Sequence, residues 1–128
     1  SYVVSRLSHV YGSLSYKSVT AKKRSYYLNK TIELLKRRCK IEPNNPYPWR
    51  RLAEIYSTFK VKKNKRDLNG AIRYMKEAVK RSSSWHSWKE LGDLYFEKGD
   101  KEKALECYSK ALEIKQGKAK INDKRELK

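Results

Sequence analysis

Residues 85–118 read WHSWKELGDLYFEKGDKEKALECYSKALEIKQGK, and the spacing within them decides the fold. Trp88, Leu91, Gly92 and Tyr95 stand at i, i+3, i+4 and i+7, which puts them on one face of a helix. Gly99-Asp100 then interrupts the pattern. Glycine takes the left-handed conformation that ends a helix, and an aspartate caps the first N–H groups of the next. Ala104, Tyr108 and Ala111 resume the apolar stripe at i, i+4 and i+7. Small residues at 92, 104 and 111 let two antiparallel helices approach closely, while Trp88, Tyr95 and Tyr108 fill the space around them.

This stretch resembles the tetratricopeptide repeat, whose unit of about 34 residues reads W-x2-L-G-x2-Y, then A-x3-F, then A and P. Gln116 stands in place of the closing proline. The same grammar recurs upstream. Trp49, Leu52, Ala53 and Tyr56 repeat the first-helix signature, and Ala71, Met75 and Ala78 the second. Asp67 corresponds to Asp100 as a cap. The six extra residues of this copy therefore fall in the turn between its helices, where an insertion leaves both faces intact. A degenerate third copy opens the chain. Val4, Leu7, Ser8 and Tyr11 have first-helix spacing; Thr31, Ile32, Leu35 and Cys39 form a second stripe, closed by Pro43. Thr31 and Arg38 occupy positions usually given to alanine.

The resemblance implies an all-α fold, with antiparallel helix pairs stacked as a right-handed α-solenoid. Repeats are expected at about 1–45, 46–84 and 85–116, followed by a basic polar tail, 117–128, frayed or disordered. Helices are predicted near 3–15, 20–40, 47–59, 68–81, 85–98 and 101–115. The chain lacks a starting Met and opens within a helical pattern, so it reads as an excised domain of a longer protein. It shows no leader, and no run approaches the roughly 20 apolar residues of a membrane span.

Charge is the unusual quantity. Lys and Arg outnumber Asp and Glu by 32 to 14, for a net +18. Residues 85–115 are near neutral, and the excess lies in the first two-thirds and the tail. The turn Lys60-Val61-Lys62-Lys63-Asn64-Lys65-Arg66 holds five of these cations, and Lys36, Arg37, Arg38 and Lys40 close a helix. Basic residues at a helix C-terminus complement its dipole, and a basic turn is ordinarily a solvated loop. The total is harder to absorb, because self-repulsion costs stability. An acidic partner or a polyanion accounts for it, with both clusters as candidate contacts.

Catalytic chemistry finds little support. His9 and His86 accompany no nucleophile motif, and the five glycines form no phosphate loop. Cys39 and Cys107 lie far apart on apolar stripes, which suits buried free thiols in a reducing, intracellular compartment better than a metal site. No enzyme activity, cofactor, metal or small-molecule substrate is expected.

The resemblance further implies a concave groove lined by first helices. Positions offset from the core stripe would face it: Tyr47, Arg50, Glu54 and Ser57, then His86, Lys89, Asp93 and Phe96. The family's clamp for a C-terminal carboxylate relies on Lys and Asn in that groove. Glu54 and Asp93 stand where asparagine is wanted, and a carboxylate repels a carboxylate, which argues against that ligand. The expected function is an interaction scaffold for an acidic peptide or protein, through the groove or a basic flank. An RNA- or ribosome-associated module is the alternative, although the aromatic and glycine signatures of dedicated RNA modules are missing.

Overall fold

The computed structural model describes residues 4–10, 21–61 and 65–126. Helix α1 covers 4–10. It is followed by α2 (Ala21–Ile41), α3 (Pro46–Thr58), α4 (Leu68–Arg81), α5 (Trp85–Lys98) and α6 (Lys101–Glu126). Each helix from α2 onward packs on the next in order, so the chain is an all-α helical repeat. Among the described residues no helix is long and apolar enough to cross a membrane.

Local chemistry sets the helix ends. Asn45 Oδ1 accepts from the Tyr47 N–H at 3.0 Å, and Pro46 starts α3, where its missing donor costs nothing. Asp67 Oδ1 accepts from Gly70 N–H at 2.9 Å, Ser84 Oγ from Ser87 N–H at 3.2 Å, and Asp100 Oδ1 from Lys103 N–H at 3.2 Å. Gly99, at φ 100°, turns α5 into α6, and its N–H returns to the Tyr95 carbonyl.

Two apolar clusters hold the stack. The larger joins α3 to α6 through Ala53, Ala71, Met75, Leu91, Ala104 and Cys107, all buried. The smaller joins α2 to α3 through Ile32, Leu35, Cys39, Leu52 and Ile55. Each fully buried Leu, Ile or Met contributes roughly 1.5–3 kcal/mol. Trp49, Tyr56 and Tyr74 touch both clusters; the Tyr56 and Tyr74 rings meet edge to face at 5.0 Å. Trp49 and Trp88 are half-buried, so they flank the core and do not sit at its centre. Gly92 permits the tightest approach of α5 to α6: a Cβ there would lie 2.7 Å from Tyr108 Cε1.

Two features depart from the sequence reading, and two residues in the family's alanine positions are accommodated by hydrogen bonds. Helix α6 continues to Glu126, where a frayed or disordered tail was expected after residue 116. The segment has no proline, and its Lys, Glu, Gln and Ala are good helix formers; Gly117 alone, at a cost of about 1 kcal/mol, does not break it. Leu7 is exposed although Val4 and Ser8 are buried, so the first stripe is narrower than its spacing suggests. Thr31 is buried in an alanine position because its hydroxyl donates to the Tyr27 carbonyl at 2.9 Å. Arg38, likewise in an alanine position, donates to Glu42 Oε2 at 2.7 Å and to Ser5 Oγ at 3.2 Å, tying α1 to α2.

Candidate functional site

A cleft of about 430 Å³ opens between α3 and α5, over Ala53, Met75 and Leu94. Tyr47, Arg50, Glu54, Ser57 and Asp93 line it, together with Arg51, Glu90 and Glu97. His86, Lys89 and Phe96 are exposed but do not line it. A cleft between neighbouring helices is walled by facing flanks of the two. Equivalent positions in successive repeats therefore do not all point into it. On α5 the lining residues 90, 93, 94 and 97 are rotated by roughly 70° from the expected set, at about 100° per residue. The i, i+3, i+4, i+7 relation of Glu90, Asp93, Leu94 and Glu97 was the available signal.

The groove carries four carboxylates, and each is already engaged. Arg50 Nη2 donates to Glu90 Oε1 at 2.9 Å, joining α3 to α5. Arg51 pairs with Glu54 at 3.0 Å. Arg66 reaches from the 59–67 turn to Glu97 and to the Ser57 carbonyl. Asp93 accepts from Lys89 Nζ at 3.1 Å and from the Tyr108 hydroxyl at 2.6 Å. Burial first, and the Asp93 bond second, push the Tyr108 hydroxyl up to about 12. The groove thus satisfies its charges internally and presents no free cationic floor.

The basic candidates divide. Lys36, Arg37 and Lys40 are exposed on α2. Arg38 is half-buried and structural, and its guanidinium holds the Glu42 carboxyl down at about 2. The same guanidinium lies 5.0 Å from the Tyr47 ring centre. Lys60 and Lys65 are exposed, while Lys62 and Lys63 lie outside the described residues. Arg66 was expected to be a solvated contact. Its Glu97 partner makes it a cross-link between the turn and α5. The turn is further tethered by Phe59 and Val61, which pack on the smaller cluster. Trp85, unassigned by the repeat pattern, stacks on His86 at 3.6 Å and receives Lys115 Nζ at 4.7 Å, covering the α5–α6 seam.

Charge separates by helix. Helices α3 and α5 together carry four basic and four acidic residues. Helix α2 carries eight and one, α4 four and one, and α6 eight and five. The first helices of the two clear pairs are therefore neutral in sum, and the second helices hold most of the excess. Cys39 and Cys107 are buried free thiols, and burial pushes Cys39 up to about 11. Among the described residues no group of His, Cys, Asp and Glu could hold a metal ion.

Paired helices with a capped, glycine-ended turn and a small residue at the crossing define a helical repeat module. Residues 86–117, a quarter of the chain, match the family model of the tetratricopeptide repeat. No curated protein matches the chain. Tetratricopeptide repeats are in general non-enzymatic modules for protein interaction.

Proposed function

We propose that this domain holds an acidic protein partner through the basic face of its second helices, as part of a larger intracellular assembly. The observation that carries this reading is the partition of charge: α2, α4 and α6 concentrate the cations, while α3 and α5 cancel theirs. An acidic peptide entering the groove would meet Glu54, Glu90, Asp93 and Glu97 and would have to displace their partners. On the second helices it meets a net excess of Lys and Arg, whose field also speeds encounter. The buried thiols of Cys39 and Cys107 suit a reducing compartment.

Affinity capture from lysate on the immobilised domain tests this at low and high salt, with and without nuclease. Acidic proteins retained after nuclease and released by salt support the reading. Recovery abolished by nuclease contradicts it and favours the RNA alternative, since phosphate contacts account for non-specific nucleic-acid binding.

A further inference from the structure

A second cleft, of about 760 Å³, lies between α4 and α6, within the ~300–1,000 Å³ typical of ligand sites. It meets α5 at Trp88, Leu91 and Tyr95, roughly 140° around that helix from the groove residues, at about 100° per residue. Val79, Leu91, Tyr95 and Cys107 give it an apolar floor, with half-buried Trp88 at one side. Burial holds the Cys107 thiol above its usual range, so the floor stays uncharged. Lys76 and Lys80 stand on one rim and Lys103 and Lys110 on the other; Glu106 is the single carboxylate among the lining residues.

The two rims converge on one ring. Lys76 Nζ, from α4, lies 5.8 Å from the centre of Tyr95, and Lys103 Nζ, from α6, lies 5.6 Å from it. Two ammonium groups share that ring and repel each other. Lys103 has only a distant carboxylate, Asp100 at 4.0 Å, and Lys76 and Lys110 form no ion pair among the described residues. A carboxylate placed between the rims would relieve that repulsion, and apolar side chains would cover the floor beneath it.

We infer that this cleft takes a peptide segment of an acidic partner, with Asp or Glu between the lysine rims and apolar side chains seated on Val79, Leu91 and Tyr95. The inference rests on the reading of the domain as a module for an acidic protein, and adds where and by what chemistry the partner is held. A peptide is favoured over RNA because single-stranded bases need an exposed aromatic face. Here Tyr95 is buried and lies beneath two lysines.

The test is fluorescence anisotropy on the whole chain with three labelled probes: a peptide of Asp and Glu containing two Leu, the same peptide with Ser for Leu, and oligouridylate. The Leu peptide is expected to bind about tenfold more tightly than the Ser peptide, as a desolvated anchor provides. Lys76→Gln with Lys103→Gln should weaken it about tenfold, and Lys36→Gln with Lys40→Gln, outside the cleft, less than about threefold. Both pairs are exposed, and circular dichroism confirms that the variants stay folded. Equal binding of the two peptides, weakened alike by both variants, overturns the cleft and leaves a diffuse basic surface for an acidic partner. Binding of oligouridylate alone overturns both readings. Should a variant misfold, quenching of tryptophan fluorescence by the Leu peptide but not the Ser peptide in the unaltered chain decides, because Trp88 borders the cleft; its absence overturns the inference.

Discussion

The guanidinium of Arg81 lies 4.2 Å from the ring centre of Trp49. From there it donates to the Pro43 carbonyl in the α2–α3 turn and to the Glu77 carbonyl and carboxylate at 2.8 Å. One side chain at the end of α4 thus ties together the first two repeats, and its hydrogen bond holds the Glu77 carboxyl below the usual range. Arg81→Ala should cost about 1–2 kcal/mol, from the cation–π contact and the charged hydrogen bonds together. Arg81→Lys should recover less than half, because an ammonium cannot stack on the indole and span both acceptors. Urea unfolding of the three proteins measures both values.

Gly92 and Tyr108 make a close crossing of α5 and α6. A methyl group at 92 would sit 2.7 Å from Tyr108 Cε1 and 3.2 Å from Cys107 Cβ. The ring cannot swing aside freely, because its hydroxyl is held by Asp93. Gly92→Ala should therefore destabilise by about 1–3 kcal/mol despite the better helix propensity of alanine. Adding Tyr108→Leu should recover part of that loss, as a thermal-melt double-mutant cycle would read out.

Alkali should unfold the domain through its tyrosines. Burial, with Tyr56 adding to it, pushes the Tyr74 hydroxyl from its ordinary 10.0 up to about 12. A raised value means the folded state binds this proton more tightly than the unfolded one. The contribution is complete below pH 10 and is lost as pH rises toward 12. Tyr74→Phe should flatten the fall in stability over that window. Denaturant midpoints at pH 9, about 10.5 and about 11.5, compared with the unaltered chain, would show it.

Much of the fold could be read in the sequence because apolar spacing, caps and breakers agreed with one another. Trp88, Leu91, Gly92 and Tyr95 marked a helix face, and Gly99-Asp100 marked its end. Asp67 located the start of α4 despite the long turn before it. Contacts between distant positions were less legible. Nothing local couples Arg66 to Glu97, or Arg81 to Pro43, because these pairs arise only when repeats stack. The groove was half legible for a related reason. Helical period gives a direction from the axis, but not which flank of α5 faces α3. The second cleft needs three helices at once. Its lysines look like ordinary solvated positions until α4 and α6 converge over Tyr95.

Groove ion pairs should contribute little to stability. The Arg50 and Glu90 side chains are each 44% exposed, and pairs of that kind contribute about 0–1 kcal/mol. Glu90→Gln should shift the urea midpoint slightly and leave capture of an acidic partner intact. A large loss of capture would return attention to the groove.

The central claim is that the second helices, and not the groove, receive an acidic partner. Titration of the isotope-labelled domain with a short poly-L-glutamate, followed by amide shifts at physiological ionic strength, tests it most directly. The account predicts shifts concentrated on α2, α4 and α6, including residues near Lys36, Lys76 and Lys103, and fading as salt is raised. Shifts centred on Arg50, Glu54 and Glu90 in the groove, or a response indifferent to salt, would contradict it.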